Sequence, residues 1–240
     1  MNIIIPLGGK GERFQKEGFK EPKPLIKVLD KEILYYTIDN LSLNENDKIF
    51  IIYNKDLDLF NFKDIISEKY PLINLIKLEN DTKGASETVF IGVTEIINNY
   101  QYNEKTILID GDTFYKENIL EKFRATEKNA VFYTKNYDVN PIFSYILMDE
   151  NNNIIDIKEK IKLSDNANTG AYAFNNIQTL FTYSKYVVDN DIRFKNECYT
   201  SCIISIMIAK NEPFVGIELQ EENVCVLGTP KQVNDFIINN

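Results

Sequence analysis

The chain has 240 residues, 44% of them hydrophobic, and a formal net charge of −9. This length and composition predict a soluble globular protein with a sizeable core, and the negative charge argues against a general nucleic-acid surface. The chain has no histidine, which excludes Ser-His-Asp and Cys-His catalysis and histidine general bases. Any chemistry must therefore use carboxylates, cations, a metal ion or positioning alone.

Strands and helices alternate through the first half of the chain. Apolar runs predict strands at 2–7, 48–53, 74–78, 106–109 and 130–134. Helical spacing of apolar residues predicts helices at 31–41, 56–70 and 85–97. Strands that alternate with helices predict a mainly parallel sheet covered on both faces.

The second half of the chain has a different pattern. Runs at 143–148 and 154–158 flank the turn DENNN and predict a hairpin, and a further strand is predicted at 169–174. Helices at 177–188 and 197–209, strands at 214–218 and 223–226, and a last helix opened by Thr229-Pro230 complete the prediction. We therefore expect antiparallel structure to be inserted in this half.

The sequence shows neither a membrane-spanning or signal segment nor a set of cysteines suited to disulfides. No stretch approaches the ~20 apolar residues of a membrane span, and Met1 leads directly into a strand, so we expect a cytoplasmic protein. Three cysteines argue against a disulfide framework. Cys198 and Cys202 have helical i, i+4 spacing, which suits a metal pair, but the chain offers no histidine or third nearby cysteine. Two small buried residues on one helix face are the favoured interpretation.

The stretch LGGKGERF, residues 7–14, directly follows the first predicted strand. A glycine-rich turn at this place in a parallel sheet lets backbone N–H groups approach phosphate oxygens. The Walker A pattern is absent, and the dinucleotide fingerprint lacks its last glycine because Phe14 stands there. The loop therefore predicts phosphate binding of another kind.

Continued to residue 41, this stretch resembles the N-terminal signature of the nucleotidyltransferases that make nucleotide-activated sugars and related compounds. The matching elements are Gly8, Gly9, Gly11, Arg13 and Pro22-Lys23-Pro24-Leu25. The segments TKGASETVFIG, ILIDGDTFY and EKIKLSDNANTGAYAF resemble the family's base-framing turn, metal-binding strand end and acceptor-side strand. The resemblance implies one Rossmann-like α/β domain over 1–240, with a nucleotide-binding half (1–135) and an acceptor-binding half (136–240).

The resemblance implies transfer of a nucleoside monophosphate from a triphosphate to a phosphorylated small molecule, with release of pyrophosphate. The acceptor phosphate is already an anion, so the reaction needs no general base, which suits a chain without histidine. The implied catalytic residues are Arg13, Lys23 and Lys160. The implied nucleotide-binding residues are Leu7, Gly8, Gly9, Lys10, Gly11, Gly84, Ala85, Thr88 and Gly111. The implied acceptor-binding residues are Glu159, Asn168, Thr169, Gly170, Glu197 and Tyr199.

The resemblance also implies a magnesium cofactor. Asp112 matches the family's Mg²⁺ ligand, and Asp110 points to the same face if the strand persists. Many relatives supply a second metal carboxylate just before the last helix, where this chain reads VCVLGTPK. Either one aspartate carries the metal with phosphates and water, or the second ligand lies elsewhere.

The chain resembles most the compact, capsule-associated members of the family, which include cytidylyltransferases acting on phosphocholine and on phosphoglutamine. We therefore expect CTP as the nucleotide and phosphoglutamine as a candidate acceptor for capsular or surface polysaccharide. Thr88 either helps to read the base or bonds only to its own backbone.

Three other functions stay open. One is a uridylyl- or thymidylyltransferase acting on a sugar-1-phosphate, and another is a nucleotide-sensing regulatory module without turnover. The third is a glycosyltransferase, because DGD at 110–112 satisfies the D-x-D metal pattern, although the triphosphate loop would then have no purpose. No nucleic-acid or membrane partner is expected, and a homodimer stays open.

Overall fold

The computed structural model describes residues 1–100 and 104–239. Its strands are β1 (Asn2–Leu7), β2 (Lys27–Val28), β3 (Lys31–Glu32), β4 (Lys48–Asn54), β5 (Asn74–Leu78), β6 (Thr106–Ile109), β7 (Thr113–Tyr115), β8 (Asn129–Lys135), β9 (Ser144–Met148), β10 (Ile154–Glu159), β11 (Asn166–Phe174), β12 (Phe214–Glu218) and β13 (Val224–Val226). Its α-helices are α1 (Glu12–Lys16), α2 (Ile33–Asp39), α3 (Phe62–Lys69), α4 (Ala85–Tyr100), α5 (Ile119–Arg124), α6 (Ile177–Asp189), α7 (Thr200–Ala209) and α8 (Pro230–Ile238).

Nine of the described strands form one mixed sheet. Seven of them follow the order β10-β9-β11-β6-β1-β4-β5, while β8 pairs with β11 and β12. Strands β6, β1, β4 and β5 run parallel, and β11 pairs antiparallel with β6, β8 and β9. The predicted fold class, a mainly parallel sheet flanked by helices with a small antiparallel portion, is confirmed.

The sheet is covered on both faces, and β1 shows how the sequence achieves this. Ile3 and Ile5 pack on one face with α2, α3 and α5, whereas Ile4 packs on the other with α4, α6 and α7. All three side chains are fully buried. Successive strand residues point to opposite faces, so a continuous apolar run is what a strand buried on both sides requires.

A third, smaller cluster joins the start of the chain to its end. Its buried members are Phe14, Ile26, Val28, Ile33, Phe114, Leu227 and Val233. The cluster packs α1, which directly follows the glycine-rich loop, close to α8. Thr229 caps α8 by accepting the backbone N–H of Gln232 at 3.2 Å, and Pro230 occupies its first turn.

Three predicted helices differ from the structure. The helix predicted at 31–41 begins only at Ile33, because Lys31–Glu32 pair with Lys27–Val28 as strands β3 and β2. The helix predicted at 56–70 is divided into a 3-10 helix, Lys55–Phe60, and α3, because Asn61 between them has a left-handed φ of 56°. The helix predicted at 197–209 begins only at Thr200, since Tyr199 is extended. Helices α1 and α5 and strand β7 lie where the apolar pattern predicted no element. Among the described residues, no helix combines the length and the apolar character that a membrane span requires.

Candidate active site

The carboxyl ends of the parallel strands lie at one edge of the sheet. There β1 leads into Gly8, β4 ends at Asn54, and β6 leads into Asp110. The chain runs from β1 to β4 and β5 on one side, then crosses back to β6 on the other side of β1. Such a reversal of strand order opens a crevice at the strand ends, where open α/β sheets bind ligands.

The glycine-rich loop at this edge is held by the ends of two neighbouring strands. The side-chain amide of Asn54 donates to the Asp81 carboxylate at 3.1 Å and to the carbonyl oxygen of Gly8 at 3.4 Å. Asp81 pairs with the Lys10 ammonium at 2.6 Å, and this hydrogen bond raises the pKa of the exposed Lys10. Arg13 is exposed and has no ion pair within the described part of the chain. Its guanidinium is therefore available to a ligand.

Lys23 and Asp112 form an ion pair across the crevice. Lys23 begins a short 3-10 turn after the extended Pro22, and its side chain and that of Asp112 are 25% and 20% exposed. Burial favours the neutral form of Asp112, but the Lys23 ammonium overcomes this effect and holds the pKa of the carboxyl below its usual value. The pair thus places an ammonium beside a carboxylate whose ionised form is favoured.

Asp110 and Asp112 would share one strand face only if the strand persisted to residue 112, and this condition is not met. Strand β6 ends at Ile109, and the chain turns, with the Thr113 N–H donating to the Asp110 carbonyl at 3.2 Å. The Asp110 N–H donates to the carbonyl of Gly170 in β11 at 2.8 Å. Burial, and then the charge of Asp112, raise the pKa of Asp110. The two aspartates therefore have opposite protonation tendencies despite their proximity.

The turn before α4 joins the two halves of the chain. Gly84 has a φ of +142°, and a Cβ there would lie 2.7 Å from the backbone N and O of Cys198. Two backbone hydrogen bonds flank this contact. The Cys198 N–H donates to the Lys83 carbonyl at 3.1 Å, and the Ser86 N–H donates to the Cys198 carbonyl at 2.8 Å. A glycine is required by this approach, because a side chain would strain the backbone and displace the segment before α7.

Thr88 lies one turn into α4, directly against Gly8. Its side chain is buried, its hydroxyl donates to the Gly84 carbonyl at 3.3 Å, and its oxygen lies 2.8 Å from the hydroxyl oxygen of Thr82. Thr82 is only half-buried, and a Cβ on Gly8 would lie 3.0 Å from its hydroxyl oxygen. The structure therefore brings together Gly8, Gly84 and Thr88 from the expected nucleotide set.

A second polar group lies around the end of β10. The Lys160 ammonium donates to the Tyr199 hydroxyl at 2.6 Å and lies 3.8 Å from the Glu159 carboxylate. Glu159 also accepts the Ser201 hydroxyl at 2.9 Å, and burial raises its pKa despite these contacts. Burial, followed by Glu197, raises the pKa of Tyr199. This group combines a carboxylate, an ammonium and two hydroxyls in the half of the chain expected to bind the acceptor.

Strand β11 supplies three of the expected acceptor residues, which differ in orientation. The Thr169 hydroxyl donates to the Phe132 carbonyl at 3.1 Å within the sheet. Asn168 accepts the Gly170 N–H, but its side-chain nitrogen is buried without a partner among the described residues. Because a buried, unpaired N–H₂ group is costly, Asn168 is the member of this strand best suited to donate to a ligand.

The remaining predicted residues lie as follows. Glu197 is exposed, pairs with Phe194 in a tight turn and lies outside α7. The prediction that a helix begins at Glu197 is therefore wrong. Cys198 precedes α7 and only Cys202 lies in it; both thiols are free, and burial raises their pKa values. Gly9, Gly11 and Gly111 lie on loops at the crevice edge, whereas Leu7 ends β1 and Ala85 begins α4.

Sequence reasoning missed several polar residues of this edge. They are Asn54, Asp81, Thr82 and Ser201. Asn54 had a signal, an amide at the end of a buried apolar strand, and Thr82 begins the segment TKGASETVFIG. Asp81 and Ser201 become neighbours of the site only through pairings between distant segments.

The model of the nucleotidyl transferase family matches residues 2–216. The chain belongs to this family. The bifunctional protein GlmU of Methanocaldococcus jannaschii is 26% identical over 178 residues, which cover 73% of this chain and 40% of that protein. The chain thus spans less than half the length of this curated relative.

Two solved structures share the fold. The nucleoside-diphosphate-sugar pyrophosphorylase from Vibrio cholerae RC9 has a TM-score of 0.87 at 18% identity, covering 99% of this chain and all of that one. The CTP:phosphocholine cytidylyltransferase LicC from Streptococcus pneumoniae has a TM-score of 0.75 at 16% identity, covering 99% of this chain and 98% of that one. At these identities the likeness concerns the fold alone.

Proposed function

We propose that this chain transfers a nucleoside monophosphate from a nucleoside triphosphate to a phosphorylated small molecule and releases pyrophosphate. The observation that carries the proposal is the Lys23–Asp112 ion pair, which lies at the crevice beside the glycine-rich loop. Residues 1–135 would bind the nucleotide and residues 136–240 the acceptor. Membership in the nucleotidyl transferase family supports this reaction class.

The reaction forms one bond and breaks another at the α-phosphorus. An oxygen of the acceptor phosphate attacks, and the bond to the bridging oxygen of the β-phosphate breaks, so that pyrophosphate leaves with that electron pair. Lys23 would neutralise charge where the two phosphates meet, and Arg13 would clamp the triphosphate with its planar fork. Lys160 would hold the acceptor phosphate. No group has to remove a proton, since the attacking oxygen is already an anion.

The residues present fit a magnesium ion. Mg²⁺ prefers hard oxygen ligands and is commonly held by one or two carboxylates, with phosphates and water completing its shell. Asp112 and Asp110 supply such carboxylates, and the described residues contain no group of three or more His, Cys, Asp or Glu side chains suited to a metal. When bound, the ion would neutralise charge on the triphosphate.

We propose CTP as the nucleotide. The small residues of the Gly8 and Gly84 turns form a shallow border that suits a pyrimidine, and the fold is shared with a CTP:phosphocholine cytidylyltransferase. Phosphoglutamine is the acceptor we propose, for surface polysaccharide, since the Glu159 carboxylate would pair with its ammonium group. The fold shared with a nucleoside-diphosphate-sugar pyrophosphorylase favours a second candidate, a uridylyl- or thymidylyltransferase acting on a sugar-1-phosphate.

A two-way panel tests these proposals. Pyrophosphate release is measured with CTP, UTP, dTTP, ATP and GTP, each combined with Mg²⁺ and with phosphoglutamine, phosphocholine or a sugar-1-phosphate. We expect the highest rate with CTP and phosphoglutamine. A preference for UTP or dTTP with a sugar-1-phosphate supports the second candidate, and nucleotide binding without pyrophosphate release in any combination contradicts an enzymatic role.

A further inference from the structure

The loop between β13 and α8 lies against Asp112 but offers it no carboxylate. The Leu227 N–H donates to the Asp112 carbonyl at 2.7 Å, which fixes the loop beside this residue. The Leu227 side chain is fully buried in the cluster that contains Phe14 and Phe114. The sequence VCVLGTP, which forms the strand and the loop, contains no acidic residue. A second acidic metal ligand cannot come from this segment.

An uncharged oxygen lies nearby instead. A Cβ built on Gly228 would lie 3.0 Å from Asp112 Oδ2 and 3.3 Å from Gln232 Oε1, so both oxygens border the space that the missing side chain leaves. Gln232 belongs to the first turn of α8 and is half-buried. Two oxygens from distant parts of the sequence thus approach the same point.

Hydrogen bonds with Thr229, in the same helix turn, orient the side-chain amide of Gln232. Thr229 donates its hydroxyl to Gln232 Oε1 at 3.0 Å and accepts the Gln232 backbone N–H at 3.2 Å. This reciprocal pair keeps the amide oxygen near the start of α8. An amide oxygen has two lone pairs, so one remains for a further partner after the Thr229 hydroxyl is bound.

We propose that Gln232 Oε1 is an additional protein ligand of the Mg²⁺ ion bound by Asp112. The inference rests on the proposed function for the presence of the ion. Amide oxygens are hard donors, so Gln232 would supply a coordination position that a carboxylate could also fill. It would do so without adding charge near Asp110, Asp112 and Glu159, which leaves more of the ion's charge for the phosphates. Gly228 serves the site by leaving space between the two ligands.

The test uses Mn²⁺ alone as the probe, titrated into the full chain without nucleotide, with free Mn²⁺ measured by electron paramagnetic resonance. We expect Gln232→Leu to weaken Mn²⁺ binding by at least ~10-fold, the lower range for disturbing a metal site. Gln232→Glu has nearly the same shape and adds a charge, so we expect it to bind Mn²⁺ several-fold more tightly. The matched control is Gln178→Leu, since Gln178 is an exposed glutamine in the first turn of α6 that also follows a capping residue.

Each outcome bears on the proposal. Equal Mn²⁺ affinity of wild type and Gln232→Leu overturns it, as does a Gln232→Glu variant that binds no more tightly than wild type. Failure of the wild type to bind Mn²⁺ also overturns it, because the two ligands are proposed to be in place before nucleotide arrives. Failure of the proposed function gives a different result, in which Mn²⁺ affinity depends on Gln232 but no nucleoside triphosphate is turned over.

Discussion

Replacement of Lys23 by alanine tests the reaction chemistry. The ammonium is partly shielded from water, with 25% of the side chain exposed, so an effective dielectric constant of ~20 is appropriate. A unit charge about 4 Å from a phosphate oxygen then contributes about 4 kcal/mol. Much of this charge interaction is gained only as the phosphates meet. We therefore expect kcat to fall by ~10²- to ~10³-fold, which is the measured scale for loss of one preorganised electrostatic contact.

Nucleotide affinity should change much less. The Lys23–Asp112 pair is mostly buried, so loss of the ammonium leaves the Asp112 carboxylate unpaired and lowers the free energy of unfolding by up to ~3 kcal/mol, the lower end of the scale for a broken buried pair. The assay is steady-state pyrophosphate release with the best acceptor of the panel, together with thermal-shift titration of the nucleotide. Lys16→Ala is the matched control, because Lys16 lies on α1 with a side chain that is 78% exposed. An unchanged kcat, or a higher KM for the nucleotide alone, would refute the catalytic role of Lys23.

Three further predictions concern the metal, the turn and the base. Asp112→Asn should abolish Mg²⁺-dependent turnover with the fold intact by circular dichroism, and Asp110→Asn should be milder; a larger loss with Asp110→Asn would reverse the assignment of the primary ligand. Gly84→Ala should destabilise the protein by ~1–3 kcal/mol in urea unfolding, because φ is positive and the Cβ would lie 2.7 Å from the Cys198 backbone. An unchanged unfolding midpoint would contradict the claim that this position requires glycine. Thr88→Val should weaken CTP binding by ~1–3 kcal/mol in calorimetric titration, by removing the partner of the hydroxyl pair, whereas equal affinity would show that the hydroxyl has no part in base binding.

The sheet could be predicted from the sequence because local patterns determine it. The apolar runs of β1, β5 and β6 have the predicted bounds, since buried parallel strands need continuous apolar residues. The breaks at Asn61 and Tyr199 could not be predicted. The left-handed Asn61 divides one helix and the extended Tyr199 delays the start of the other, and neither disturbs the apolar spacing on which the prediction rested.

The candidate site was predictable only where a motif carried it. The signature around the glycine loop indicated Lys23, and ILIDGDTFY indicated Asp112, but the ion pair between them depends on the packing of segments 89 residues apart. Gln232 and Asn54 carry no motif. Their proximity to the crevice follows from the helix start and the strand end that hold them, which only the folded chain reveals.

We propose that the crevice activates a nucleoside triphosphate for transfer to a phosphate acceptor. The most direct measurement is pyrophosphate release by the wild-type chain with CTP, Mg²⁺ and the panel of phosphorylated acceptors, with the nucleotide-linked product identified by mass spectrometry. We predict pyrophosphate and a CMP-linked product in equal amounts, only when an acceptor is present. Nucleotide binding with neither product, for every nucleotide and acceptor tested, would contradict the claim.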